Sequence, residues 1–223
     1  MSDRVDAGRG ATGSSPGRVL PRTERGERKR AALIAAAREV FERDGYLDAK
    51  IADISKAAGA SSGSFYTYFD GKDDVFAALV EQVGQEMLHP HIKARTGVTD
   101  PRALIDAANR EYLVAYEKNA RLMAVFDEAQ HFNPEFRRLR LERANSFVLR
   151  NAKLIRELQQ AGVASVELDP LITAQALSGM VSRMAAIVFV QGQNIDVDEL
   201  AITLTQLWVN ALQLRPSPVL PGK

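Results

Sequence analysis

The sequence contains no cysteine, so disulfides, thiolate metal sites, thiol nucleophiles and thiol redox switches are excluded together. Long apolar runs are missing as well. The most apolar window, residues 171–191, is interrupted by Gln175, Ser178, Ser182 and Arg183 and reads as a buried core helix, not a membrane span. Near the N-terminus the longest apolar run is Val19-Leu20, too short for the hydrophobic region of a secretory signal, and the expected location is the cytoplasm. No segment alternates apolar and polar residues for long enough to make a strand. Phosphate-cradling glycine loops, HExxH and paired-carboxylate helix motifs are lacking too, and no cofactor is expected.

Hydrophobic residues at 46% and charged residues at 26% of 223 positions are enough to build a core without staples. Lys and Arg, 29 in all, almost balance 28 Asp and Glu. The excess of base falls within residues 1–72 and the excess of acid beyond them, a mild polarity that suits a phosphate-facing N-terminal end.

Residues 1–22, rich in Gly, Ser, Ala, Pro and Arg, carry no hydrophobic periodicity and are expected to be a disordered basic tail. Helical spacing begins at Arg25, with Leu33, Ile34, Ala37, Val40 and Phe41 on one face, and predicts a first helix over 25–44 stopped by Gly45. A short second helix over 51–58 ends at Gly59. A third over 62–69 turns Phe65 and Phe69 inward, and a fourth starts at Lys72 and runs to about residue 88, limited by Pro90. Helices over 101–118, 120–131, 134–161, 169–191 and 197–213 follow, separated by Asp100-Pro101, Asn133-Pro134, Gly162 and Asp169-Pro170. The expected fold is all-α: a helix-turn-helix domain over 23–71, a larger helical effector-binding and dimerisation domain over 72–214, and a flexible tail over 215–223.

Helices two and three, joined by Gly59-Ala60-Ser61, have the spacing of a helix-turn-helix. Gly59 supplies a left-handed residue and Ser61 can cap the third helix. Ser62, Ser64, Thr67 and Tyr68 are expected to face outward, and the small Gly63 lets the backbone approach the floor of a major groove. This stretch, IADISKAAGASSGSFYTYFDGKDDVF over residues 51–76, resembles the N-terminal domain of the tetracycline-repressor (TetR) family of transcriptional regulators. The likeness covers about residues 25–80, including Phe41, Gly45-Tyr46, Asp53-Ile54, Ala58-Gly59, Gly63-Ser64-Phe65-Tyr66, Tyr68-Phe69 and Lys72.

The resemblance implies that Ser61, Ser62, Gly63, Ser64 and Thr67 meet bases or nearby backbone of a double-stranded operator, while Tyr66, Tyr68 and Lys72 bind phosphates. Lys50 stands where the family usually has a capping Thr. An ammonium cannot accept that hydrogen bond, which weakens the cap by about 1 kcal/mol, but it can reach a phosphate. Arg22, Arg25, Arg28, Lys29 and Arg30 are further phosphate candidates. The resemblance also implies a homodimer through the last two helices and a pocket for a small hydrophobic effector among the middle ones. Its candidate residues are Tyr112, Tyr116, Met123, Phe126, His131, Asn145, Met180 and Met184, with Gln130, Phe132, Phe136 and Phe147 nearby. The implied function is a repressor released by its effector, the alternative being an activator, a corepressor-dependent regulator or one without a ligand.

Two other patterns are weighed and set aside. Gly59-Ala60-Ser61-Ser62-Gly63 satisfies G-x-S-x-G, but a nucleophile elbow needs a preceding strand and here a helix precedes it. No enzyme is expected. His89-Pro90-His91 with a distant His131 makes a poor metal set, and no metal site is expected.

Overall fold

The computed structural model describes residues 23–93 and 100–215, so the expected N-terminal tail, Arg22 included, and all of the expected C-terminal tail except residue 215 lie outside the described residues. Nine α-helices and no strand occur among them: α1 Glu24–Asp48, α2 Ile51–Ala57, α3 Ser62–Tyr68, α4 Lys72–Lys93, α5 Pro101–Lys118, α6 Ala120–Ala129, α7 Pro134–Gln160, α8 Pro170–Phe189 and α9 Val197–Leu212. The all-α fold, with a helix-turn-helix at the N-terminal end and a larger helical body behind it, is as expected.

The helix starts follow from their caps. Asp100, Asn133 and Asp169 accept backbone N–H bonds at the heads of α5, α7 and α8, and each is followed by a proline whose missing donor is not needed there. Asp196 does the same for α9 without a proline. Thr23 caps α1 by accepting from Gly26 N. These side chains fix where each helix begins, and therefore which residues share a face.

Two boundaries differ from expectation. Gly45 breaks the helical dihedrals at φ 76°, but the chain resumes a turn that closes at Asp48, because the glycine absorbs the left-handed step without losing the direction of α1. Pro90 does not limit α4, which continues to Lys93. Proline has a helix-compatible φ and forfeits one donor, so a single one need not end a long helix.

In the N-terminal part α1 packs on α2 and α4, and α2 packs on α3. Ile54, Phe65 and Phe69 are fully buried there with Leu33, Ala37 and Val40. In the larger part α7 packs on α8, α5 on α9 and α8, and α4 bridges to α5 and α7. The parts share a core, since α1 also lies on α6. Arg38 of α1 reinforces that contact by donating to Asn119 Oδ1 at 2.9 Å while pairing with Glu42.

By length and composition α8 is apolar enough to cross a membrane, yet its Ala174, Leu177, Val181 and Ala185 are buried against neighbouring helices. Its other side is different. Leu171 and Ile172 are 50% and 72% exposed, and Ile202 and Leu207 of α9 are 55% and 43% exposed, so apolar residues of both helices face outward.

Lys50 is the N-cap of α2 and makes no side-chain cap bond. The substitution Lys50→Thr should therefore raise unfolding stability by about 1 kcal/mol, read from the urea midpoint at unchanged slope.

Candidate nucleic-acid interface and ligand pocket

The helix-turn-helix is built as its sequence implies. Gly59 sits at φ 61°, where a Cβ would be strained. Ser61 Oγ accepts from Ser64 N at 3.2 Å and caps α3. On the outer side of α3, Ser61, Ser62, Gly63 and Thr67 are exposed, Ser64 is half-buried, and Thr67 Oγ1 donates to the Gly63 carbonyl at 3.3 Å. Gly63 leaves open space, its nearest heavy atom to an added Cβ being the Ser61 hydroxyl at 3.9 Å. Tyr66 is 48% exposed, its ring standing edge-on to buried Phe65, and Lys50 is exposed at the head of α2. On α3 these residues make a polar, hydroxyl-rich face.

Tyr68 does not belong to it. The sequence reading turned Tyr68 outward, but it is 8% exposed, because it lies three residues after Phe65 and so on the same inward face of the helix. Lys72 is half-committed. Its ammonium donates to the carbonyls of Tyr46 and Leu47 at 2.8 and 2.9 Å, and stands 4.8 Å from the Tyr46 ring centroid. Two of its three N–H bonds thus close the end of α1, leaving one for a phosphate. Of the basic candidates on α1, Arg25 and Lys29 are exposed, Arg28 pairs with Glu24, and Arg30 lies over the Phe69 ring at 5.2 Å.

Behind this face, a junction ties α1, α4 and α7 together. The Tyr46 hydroxyl donates to Asp73 Oδ1, and Asn133, the cap of α7, donates to Asp73 Oδ2 at 2.9 Å. Burial and the adjacent Asp73 carboxylate push the Tyr46 phenol well above its ordinary pKa, so it stays a donor. Around it runs a chain of aromatic rings. Phe76 of α4 lies 4.8 Å from Phe41, 5.0 Å from Tyr46, 5.0 Å from Phe136 and 6.1 Å from Phe126.

Phe126 opens onto a cavity of about 340 Å³ between α5, α6, α7 and α8, at the lower end of the range for small-molecule sites. The walls come in tiers. Asn109, Val148, Asn151, Ser178 and Trp208 form one end; Tyr112, Phe147, Ser182 and Arg143 the middle; and Tyr116, Met123, Phe126, Asp127, Arg140 and Arg183 the other end. Asn151 donates to Ser178 at 2.9 Å, Tyr112 meets Phe147 edge-on at 5.7 Å, and Arg140 pairs with Asp127. At 1.5 Å per residue, the lining stretch of α7 from Arg140 to Asn151 spans roughly 16 Å of helix. Burial pushes the Tyr116 phenol up to about 12 and the Tyr112 phenol upward as well, so both are neutral walls at physiological pH.

Four of the eight candidate effector residues, Tyr112, Tyr116, Met123 and Phe126, line this cavity, and four do not. Met180 and Met184 sit two residues beyond Ser178 and Ser182, which turns them 200° around α8 into packing elsewhere in the core. Asn145 is exposed for the same reason, two residues past Arg143. His131 is exposed in the turn after α6, its ring nitrogen 3.3 Å from the Glu128 carbonyl.

The sequence reading also missed most of the polar lining. The signal was there. Arg140, Arg143, Ala144, Phe147, Val148 and Asn151 on α7, and, Val181 apart, Gln175, Ser178, Gly179, Ser182, Arg183 and Ala186 on α8, each repeat at steps of three and one, the spacing of a single helix face. Among the described residues no group of His, Asp and Glu is placed to hold a metal; the side chains of His89 and His91 lie outside that description.

The two tyrosines of α3 separate the readings cleanly. Tyr66→Ala should weaken duplex DNA binding about tenfold, the loss of a charge-assisted contact, and move unfolding stability by less than about 0.5 kcal/mol. Tyr68→Ala should cost about 3 kcal/mol or more of stability. Thermal unfolding and a DNA mobility shift on the same preparations check both.

Comparison with known proteins agrees with this geometry. Residues 33–79 match the family of bacterial regulatory proteins of the tetR type, and residues 105–213 match the C-terminal domain of the transcriptional regulator EthR. The HTH-type transcriptional regulator EthR of Mycolicibacterium smegmatis is 24% identical over 189 residues, which span 84% of this chain and 87% of that protein. The fatty acid metabolism regulator protein of Bacillus subtilis is 25% identical over 183 residues, 81% and 93% of the two chains. A solved structure of the transcriptional regulator FadR from Bacillus subtilis in complex with stearoyl-CoA aligns with a TM-score of 0.70 at 22% identity, over 80% of this chain and 97% of that one, a likeness of fold. The helix-turn-helix with its exposed hydroxyl face and the helical body behind it both match regulators and not enzymes, and the chain belongs to the TetR family of DNA-binding transcriptional regulators.

Proposed function

We propose that the protein is a homodimeric repressor that leaves its operator when a small, largely apolar effector fills the cavity between α5, α6, α7 and α8. The observation that carries this reading is the aromatic chain from Phe41 and Tyr46 through Phe76 to Phe126. It puts a wall of the cavity in contact with the core of the DNA-reading part. A ligand that displaces Phe126 must then disturb Phe76 on α4, and a close-packed core passes on such a displacement. The fatty acid regulator among the relatives and the FadR complex with stearoyl-CoA support an effector with an acyl chain.

The exposed apolar residues of α8 and α9 support the dimer, since Leu171, Ile172, Ile202 and Leu207 together would otherwise be left facing water. A two-fold dimer sets two α3 helices about one DNA turn, or a small multiple, apart on a palindromic site, exposes Ser61, Ser62, Gly63, Ser64 and Thr67 to bases, and leaves Lys50, Tyr66 and the free N–H of Lys72 for phosphates. An activator is the second reading, favoured by the transcriptional activator FasR of Mycolicibacterium smegmatis, 32% identical over 107 residues that span 48% of this chain.

Selection of genomic fragments by the purified protein should recover a palindromic site. Ala144→Phe, at the exposed rim of the cavity, should bind that site as tightly as the unaltered protein but lose at least about tenfold in sensitivity to the effector. A reporter downstream of the site should rise on effector addition for a repressor and fall for an activator.

A further inference from the structure

The charged residues of the cavity wall do not balance. Arg140, Arg143 and Arg183 stand against the single acid Asp127, and Asp127 is already paired with Arg140. Arg143 differs from the other two. Desolvation lowers its pKa from the ordinary value, and no ion pair to it is found among the described residues. Its guanidinium is directed at the thioether of Met87, a weak acceptor. The Glu81 carboxylate acts on it through space from the α4 side but makes no contact pair with it; a cation withdrawn from water with no carboxylate in contact is costly, and the cost is relieved by an anion the cavity admits.

Arg143 also touches the other side of the wall. Its side chain lies 3.6 to 4.0 Å from where a Cβ of Gly84 would be, so Gly84 and Met87, both on α4, form its seat. A smaller cleft, lined by Val80, Glu81, Gly84 and Gln85 of α4 and by Leu139, Glu142, Arg143, Ser146 and Phe147 of α7, lies on this side, its Glu142 already paired with Arg138. The guanidinium therefore stands between the apolar cavity and the helix that leads to the DNA-reading part.

We propose that the effector is an amphiphile with an ionised carboxylate, its chain lying among Tyr112, Tyr116, Met123, Phe126 and Phe147 and its head bound by Arg143. Drawing the guanidinium toward the head loosens its seat on Gly84 and Met87, which is how the head, and not the chain alone, reaches α4. This rests on the cavity being the effector site. It separates a head at Arg143, midway along the cavity, from one at the end lined by Asn109, Asn151 and Trp208, where the indole N–H of Trp208 has no hydrogen-bond partner among the described residues. It also separates a free acid from a thioester, whose carbonyl carries no charge for Arg143 to pair with.

The test uses full-length protein, its selected operator, and three probes: dodecanoate below its micellar concentration, dodecanol and dodecanoyl-CoA. Binding is followed by quenching of Trp208, the single tryptophan, with competition against a bound fluorophore for variants at that position. Dodecanoate should bind at least about tenfold more tightly than dodecanol, the margin expected of a desolvated charge-assisted pair, and dodecanol at saturation should release less operator. Arg143→Met should erase the preference for the acid, Arg143→Lys should restore part of it, and Trp208→Phe should leave it intact.

Equal binding of acid and alcohol to the unaltered protein would overturn the proposal while leaving the cavity as an apolar effector site. So would tightest binding by dodecanoyl-CoA, or loss of the preference in Trp208→Phe and not in Arg143→Met. Failure of all three probes to bind would overturn both the proposal and the effector reading beneath it. The comparison of acid with alcohol on the unaltered protein decides the matter even if Arg143→Met does not fold.

Discussion

Phe76 is the ring on which the rest of the architecture depends. It belongs to α4 and is fully buried, and it touches Phe41 and Tyr46 of the DNA-reading part, Phe136 of α7 and Phe126 of the cavity wall. Aromatic pairs at these separations contribute about 0.5–1.5 kcal/mol each beyond the area they bury, so the cluster holds the two parts in one relative orientation. The hydrogen bonds from Tyr46 and Asn133 to Asp73 add direction to that contact. A regulator whose reading helix must sit at a fixed angle needs such a joint, and one that responds to a ligand needs it to run past the ligand's cavity.

The two apolar-rich helices behind the joint divide the work. The buried side of α8, through Ala174, Leu177, Val181 and Ala185, packs in the core. Its polar interruptions open the cavity, and Leu171 and Ile172 remain exposed. A helix that is apolar nearly all round must be covered on more than one side. The core, a ligand and a second copy of the chain account for the three sides of α8 in the proposed assembly.

The fold was legible in the sequence because its punctuation is strong. Asp100-Pro101, Asn133-Pro134 and Asp169-Pro170 each mark a helix start that the structure keeps, and Gly59 with Ser61 gave the turn of the helix-turn-helix. Pro90 was misleading because a proline's effect depends on whether the following turn can continue, which the local sequence does not state. At the site, Tyr68 was expected beside Tyr66 as a phosphate contact, whereas helix phase puts it with Phe65. The cavity was half legible: its aromatic walls stood out, but Gln175, Ser178, Ser182 and Arg183 were read as interruptions of an apolar helix. They fall on one face of α8 and line the cavity together. Met180 and Met184 looked more suitable by residue type and lie on the wrong side of the same helix.

The central claim is that one joint couples the DNA-reading face to the cavity, and the most direct test is reciprocity. The affinity of dodecanoate is measured on the free protein and on the protein saturated with its operator, at the same salt concentration. Coupling requires that operator weaken the acid by the same factor by which the acid weakens operator, and the account predicts a factor of about 5 or more. An identical affinity for the acid with and without operator would contradict it.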